Sequence, residues 1–355
     1  MRVGIIGLSV GLAAVSVRAD DVFTPEDVIR IRSVGGARIS PDGRWIAYTL
    51  RAPRRPVKDE DGSAWSELHV VDLNGSSRAF VTGKVSVGGV QWTPDGGGIS
   101  FTAKRGKDKH AALYVIPVDG GEARQVLTHA SGVGGYSWHP DGKQVAFLAT
   151  DKKPKDKKEL EKKGFKAVVY EEDWRPVKVW LAEPNVDKPD QKARALDLPG
   201  SARSVKFAPD GRRLIVTLSP TSLIDDGYMN TKYHVIDVDS GESATQIDTP
   251  GKIGAIEWSP DGKRLAFIAA ADRNDPSPGR LMVVSASGGQ CRDLLPGYLG
   301  QISSIAWQDD RTIMYLGDEG VQTALGKVTI DGENKTLLPA EKHVLAGLTL
   351  SRDGQ

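Results

Sequence analysis

Residues 7–11 read Gly-Leu-Ser-Val-Gly, the Gly-x-Ser-x-Gly spacing that lifts a nucleophilic serine onto a sharp strand-to-helix turn in serine hydrolases. Acyl transfer by such a serine also needs a histidine base oriented by a carboxylate. Six histidines occur, His69, His110, His129, His139, His234 and His343, and each falls within a repeated strand-and-turn phrase or its loop. They read as ordinary strand or turn residues. Cys291 is the single cysteine, so an internal disulfide is impossible, and paired Cys or His ligands at zinc spacing are absent. The chain calls for no metal and no cofactor, and no residue of it is assigned a catalytic role.

The neighbours of Ser9 remove it from consideration. Met1-Arg2 is followed by the apolar run Val3–Val17 and then by Arg18-Ala19-Asp20, the basic start, short apolar stretch and small-residue exit of a secretory signal peptide. Residues 1–19 are expected to leave by cleavage after Ala19, taking Ser9 with them. No later stretch has the roughly 18 apolar residues of a membrane helix, so the mature protein is expected to be soluble, periplasmic or secreted. Loss of Arg2 and Arg18 takes the formal charge from +1 to −1, a balance that gives no hint of nucleic-acid binding.

Forty glycines and twenty prolines in 355 residues, with no low-complexity tract to hold them, indicate many turns. One phrase recurs: "ISPDGRWIAYTL" from Ile39, "WTPDGGGISFTA" from Trp92, "WHPDGKQVAFLA" from Trp138, "FAPDGRRLIVTL" from Phe207 and "WSPDGKRLAFIA" from Trp258. Degenerate copies follow at Trp307 and Leu350. The turn aspartates fall at Asp42, Asp95, Asp141, Asp210, Asp261, Asp310 and Asp353, a spacing within the range of propeller blades. Proline presets φ, aspartate bonds back to nearby amides and glycine accepts positive φ, so each phrase is a tight turn. Apolar residues alternate on both sides of it, as in Ile256/Trp258 and Leu265/Phe267, which makes it a hairpin.

A third strand and a second glycine-bearing turn follow in each unit, as in "LYVIPVDGG" from Leu113, and then a fourth strand such as "ARQVLT". The chain is therefore expected to be all-β, a β-propeller of four-stranded blades. The repeated Trp or Phe before each turn reads as packing between adjacent blades. The seventh copy stops at Gly354-Gln355, directly on its first turn, so the expected ring has about seven motifs with the last blade truncated. Six blades with a C-terminal stub is the other count. Residues 20–37 form a helical lead-in, where Thr24 can cap a helix, Pro25 suits its first position and Asp27 can close a capping box. Residues 38–355 are the propeller, interrupted by a charged insertion at 151–170 that reads as a solvated loop or short exposed helix.

With the repeats placed, the sequence resembles the N-terminal propeller of the prolyl oligopeptidase (S9) family of serine peptidases, in its acylaminoacyl-peptidase and dipeptidyl-peptidase-like branch. Phe23–Leu50 is similar to that branch's opening helix and first strands, and Leu160–Pro184 to its charged insertion and following strand. The WSPDG-type repeats are shared with TolB-like propellers. The resemblance implies a substrate-gating portion of a secreted peptidase acting on oligopeptides. The α/β-hydrolase domain that carries the family's serine, aspartate and histidine is absent from this chain. It also implies a role for Glu171-Glu172 in "VYEEDW": in dipeptidyl-peptidase members an adjacent glutamate pair holds the substrate's free amino terminus, and two carboxylates can satisfy an ammonium's three donors. The plainer reading of that pair is an acidic blade edge. Two other functions fit the same repeats: a non-enzymatic TolB-like propeller that binds a protein or peptide partner, and a propeller enzyme such as a lactonase or metal-dependent hydrolase, which needs acids or histidines converging on a central ion.

Overall fold

The computed structural model describes residues 23–170 and 173–354. Six four-stranded antiparallel sheets follow one another along the chain, at 33–81, 88–127, 136–195, 201–247, 253–293 and 301–338, and in every sheet the strands lie side by side in sequence order. These are the blades. Six form, a correction to the count of about seven drawn from the repeats. A blade needs four strands, and the seventh copy supplies an extended segment and a turn but no paired strand among the described residues.

The recurring phrase builds the same hairpin turn each time, and its hydrogen bonds explain its spelling. Gly43 N donates to Ser40 O at 2.9 Å, and the corresponding bonds at Gly96, Gly142, Gly211, Gly262 and Gly354 are 2.8–3.0 Å. Each of these glycines has φ between 68° and 76°, a region an L side chain occupies only at a cost. The aspartate accepts the amide two residues on, as in Arg44 N to Asp42 Oδ1 (3.1 Å) and Lys263 N to Asp261 Oδ1 (3.0 Å). A preceding hydroxyl completes it, as in Ser40, Thr93 and Ser259, each 2.6 Å from its aspartate. The sixth turn differs: it closes one residue sooner, Gln308 N to Thr312 O, and Asp309 rather than Asp310 caps it. Asp310 instead accepts Asp261 N from the fifth turn at 2.8 Å.

Alternation on the strands leaves both faces of each blade apolar, and burying them requires a neighbour on either side. Five buried clusters do this in series. Phe101 belongs to the one joining the first and second blades, Phe147 to the second and third, Leu214 to the third and fourth, Phe267 to the fourth and fifth, and Tyr315 to the fifth and sixth. Between the sixth and first blades lies the C-terminal segment instead. Thr323 N donates to His343 O at 2.8 Å, Leu348 N to Ser304 Oγ at 3.1 Å, and Arg352 N to Pro41 O at 3.0 Å. The seventh turn thus occupies a place in the ring of turns without a blade behind it.

The lead-in helix, Pro25–Arg30, carries the capping box read from its sequence, with Thr24 and Asp27 bonding reciprocally. The insertion forms an exposed helix, Lys155–Lys162, laced by the ion pairs Lys153–Glu161 (2.6 Å) and Lys162–Glu159 (2.7 Å). No helix among the described residues is long and apolar enough to cross a membrane.

Candidate functional site

The first strand of every sheet lies at its edge: Ser33–Ile39, Gly88–Trp92, Tyr136–Trp138, Ser201–Phe207, Ile253–Trp258 and Gln301–Trp307; those of the first and second, third and fourth, and fifth and sixth blades touch, and those of the first four blades line one cavity. In five of them the register against the second strand slips by a bulge, which twists the inner strand away from a straight ladder. Glycine makes one bulge possible. Gly89 has φ 58°, and a Cβ there would stand 3.1 Å from the Tyr136 ring.

One position on these strands makes a ring of its own. The residue immediately before the repeated aromatic or its equivalent is Arg38, Gln91, Ser137, Lys206, Glu257 and Ala306 in successive blades. Strand alternation sends the aromatic back toward the preceding blade and this residue toward the following one. Gln91 Nε2 donates to Tyr136 O at 2.8 Å, Ser137 Oγ accepts Phe207 N at 3.0 Å, and Lys206 Nζ pairs with the Glu257 carboxylate. Arg38 is the exception. It is exposed, its Nη1 donates to the neighbouring Ala37 carbonyl at 3.1 Å, and it makes no ion pair among the described residues. Arg38, Gln91, Ser137 and Lys206 line one cavity of about 490 Å³ with Gly35, Gly36, Gly88 and Gly89, which leave stretches of bare backbone in its wall. Bare inner strands offer amide and carbonyl groups to an extended chain, and an open guanidinium offers five donors to a carboxylate or carbonyl.

The aromatics themselves lie between blades. Trp92 Nε1 donates to Arg38 O at 2.9 Å, Trp258 Nε1 to Lys206 O at 3.4 Å and Trp307 Nε1 to Glu257 O at 3.1 Å, each reaching the preceding blade's ring residue. Tyr136 Oη donates to Gly89 O at 2.7 Å, and burial pushes its pKa well above the ordinary phenol value.

Glu171 and Glu172 fall outside the described residues, as do Ser9 and the whole leader 1–19. Of the residues beside the glutamate pair, Tyr170 is 67% accessible, and Asp173 is half-buried and tied to Lys157 and to Val169 N at 3.1 Å. None of the six histidines joins a serine to a carboxylate. His129 and His234 bond Ser131 and Ser243, whereas His69 and His139 bond Glu67 and Asp141. Burial holds His129 and His234 below the ordinary imidazole pKa. No three His, Cys, Asp or Glu side chains converge as a metal site among the described residues.

The ring residues carry a signal that is present in the repeats: a fixed offset of one before the aromatic, filled by a different polar type in most copies. Its meaning depends on which strand faces the axis, and a single repeat does not tell that.

No family model matches the chain. The curated "Uncharacterized peptidase YuxL" of Bacillus subtilis (strain 168) is 29% identical over 157 residues, which is 44% of this chain and 22% of that protein. Among solved structures, an acylaminoacyl peptidase in complex with Z-Gly-Gly-Phe-chloromethyl ketone superposes with a TM-score of 0.67 at 14% identity, over 92% of this chain and 49% of that one. The β-propeller domain of the trilobed protease from Pyrococcus furiosus, described as having an open velcro topology, gives 0.59 at 13% identity, over 90% and 89%. TolB from Acinetobacter baumannii gives 0.51 at 18% identity, over 86% and 66%. The chain thus spans about half the length of the acylaminoacyl peptidase, and its match to the curated peptidase covers about a fifth of that protein. At these identities the structural likenesses show the fold: the chain is a β-propeller similar to those of acylaminoacyl peptidases, the trilobed protease and TolB.

Proposed function

We propose that this chain is the substrate-gating propeller of an exported serine peptidase that acts on oligopeptides. The observation that carries the reading is the superposition of nearly the whole chain on one half of an acylaminoacyl peptidase, with a curated peptidase matching part of it by sequence. The physical role follows from the axial cavity. Peptide hydrolysis needs a nucleophile, a base and an oxyanion hole shielded from water. A ring of blades over such a site admits an unfolded peptide and excludes a folded protein by size. Glycine-walled inner strands can bond the peptide backbone without reading its side chains, and Arg38 can take a carboxylate or carbonyl of the entering chain. Glu171 and Glu172 keep their proposed role as holders of a free amino terminus. In this reading the catalytic serine lies in sequence beyond residue 355.

The test is to read the coding DNA for about 300 codons past Gln355. A Gly-x-Ser-x-Gly, then an aspartate, then a histidine, in that order, supports the peptidase. A stop codon at or just past Gln355 overturns it and leaves the second reading, a TolB-like propeller that binds a peptide or protein partner, which the TolB superposition favours.

A further inference from the structure

A second cavity, of about 770 Å³, lies away from the axis, between the second and third blades. Lys107 and Lys109, from the loop between the second and third strands of blade 2, line it from one side. Lys152 and Lys158, from the insertion, line it from the other. Three other lysines of the insertion are paired, Lys153 with Glu161, Lys157 with Asp173 and Lys162 with Glu159. The four lysines of the cavity make no ion pair among the described residues. Two carboxylates share the lining. Asp108 accepts from Tyr114 Oη at 2.6 Å and from Gln125 Nε2 at 2.9 Å and keeps its charge, so Asp108 and Asp190 together offset two of the four lysines. Four lysines against two carboxylates leave an excess of two positive charges around the cavity, and a bound anion relieves the remaining repulsion.

An independent observation points the same way. Gln191 lines this cavity, and its Nε2 is buried with no acceptor, a donor that burial leaves unsatisfied. Its loop is fixed in place, since Asn185 N donates to Val126 O at 2.8 Å and Thr128 N to Pro189 O at 2.7 Å. An unfilled donor beside four unpaired cations calls for an oxygen acceptor carrying negative charge, and the volume suits a small molecule. We propose that this cleft binds a small multivalent oxyanion, a phosphate or polycarboxylate compound held by Lys107, Lys109, Lys152 and Lys158 with Gln191 donating to it. The site is separate from the axial cavity and does not depend on the peptidase reading.

The experiment is calorimetric titration of the 355-residue protein with inorganic pyrophosphate, and in parallel with citrate, in low salt and again in 0.3 M NaCl. The expected result is saturable binding of one pyrophosphate, weakened at least tenfold by K107Q/K152Q and at least tenfold by Q191E, which places a carboxylate where the free donor stood. Q191L should weaken it about threefold while leaving the salt dependence unchanged, because it removes a donor and no charge. K335Q, on the outer strand of blade 6, should bind as the parent does. Comparable citrate binding assigns the site to dense negative charge, and a tenfold preference for pyrophosphate assigns it to phosphate; both support the proposal. Absence of saturable binding overturns it, as does unchanged binding in a Q191E variant with native circular dichroism. Should K107Q/K152Q fail to fold, Q191E alone decides.

Discussion

Trp307 reaches back from the sixth blade to donate its indole Nε1–H to the carbonyl of Glu257 at 3.1 Å, and the Glu257 carboxylate in turn pairs with Lys206 on the fourth blade. Lys206 O accepts Trp258 Nε1 at 3.4 Å, so three consecutive blades are stitched through one ring of residues. The indole does two jobs, filling the inter-blade core and satisfying an inner-strand carbonyl. W307F keeps most of the first and loses the second. A loss of about 1 kcal/mol is expected from urea unfolding, the net worth of one hydrogen bond. An unchanged midpoint would show that water replaces the indole.

Core position should separate sharply from insertion position. Phe267 is fully buried between the fourth and fifth blades and meets Tyr233 edge-on at 5.3 Å, whereas Phe165 in the insertion is 67% exposed. F267A is expected to cost about 3–5 kcal/mol, and F165A less than about 0.5 kcal/mol. Denaturant titration of both variants checks the contrast, and equal effects would contradict the placement of the core.

The turn aspartates make stability depend on acid. Asp42 is held at about 2 by the Ser40 hydroxyl and the Arg44 amide, and Asp95, Asp141, Asp210 and Asp261 are lowered by similar bonds. A carboxylate with a depressed folded-state pKa stabilises the fold above its unfolded value of about 3.9, and that contribution disappears as pH falls through the folded value. Melting temperature should be flat from pH 7 to about 5 and fall between about 4 and 2. A curve that stays level to pH 2.5 would show that these bonds carry no net stability.

Gly89 tests the backbone of the channel. Its positive φ opposes a side chain, and so does the Tyr136 ring, 3.1 Å from where a methyl carbon would stand. G89A is expected to lose more than about 1 kcal/mol, against a near-neutral effect for alanine at Gly36, where φ is not positive and nothing stands within 4 Å. Comparable losses at both sites would remove the reason for glycine at the bulge.

The four-stranded blade is legible in the sequence because its information is local: proline, aspartate and glycine at fixed places fix a turn, and alternation on each side fixes two strands. The capping box at Thr24 and Asp27 is legible for the same reason. Blade count is not, since Leu350–Gly354 still spells a turn although it lacks the proline of the full copies, yet a blade exists only where four strands pair. Asp310 misleads in a similar way: the spacing makes it the sixth cap, but the turn closes one residue early and passes that role to Asp309. Arg38 and Lys206 cannot be singled out before the inner strands are known, because lining the axis is a property of the ring and not of the repeat.

The most direct measurement uses the complete encoded polypeptide, labelled with a fluorophosphonate probe and assayed on short N-acylated peptides and on a folded protein of the same sequence content. The expected result is one labelled serine outside residues 23–354, hydrolysis of the peptides and no hydrolysis of the folded protein, with R38Q raising KM for the peptides at unchanged kcat. Labelling of a serine within residues 23–354, or equal cleavage of the folded protein, would contradict a propeller that gates a hydrolase by size.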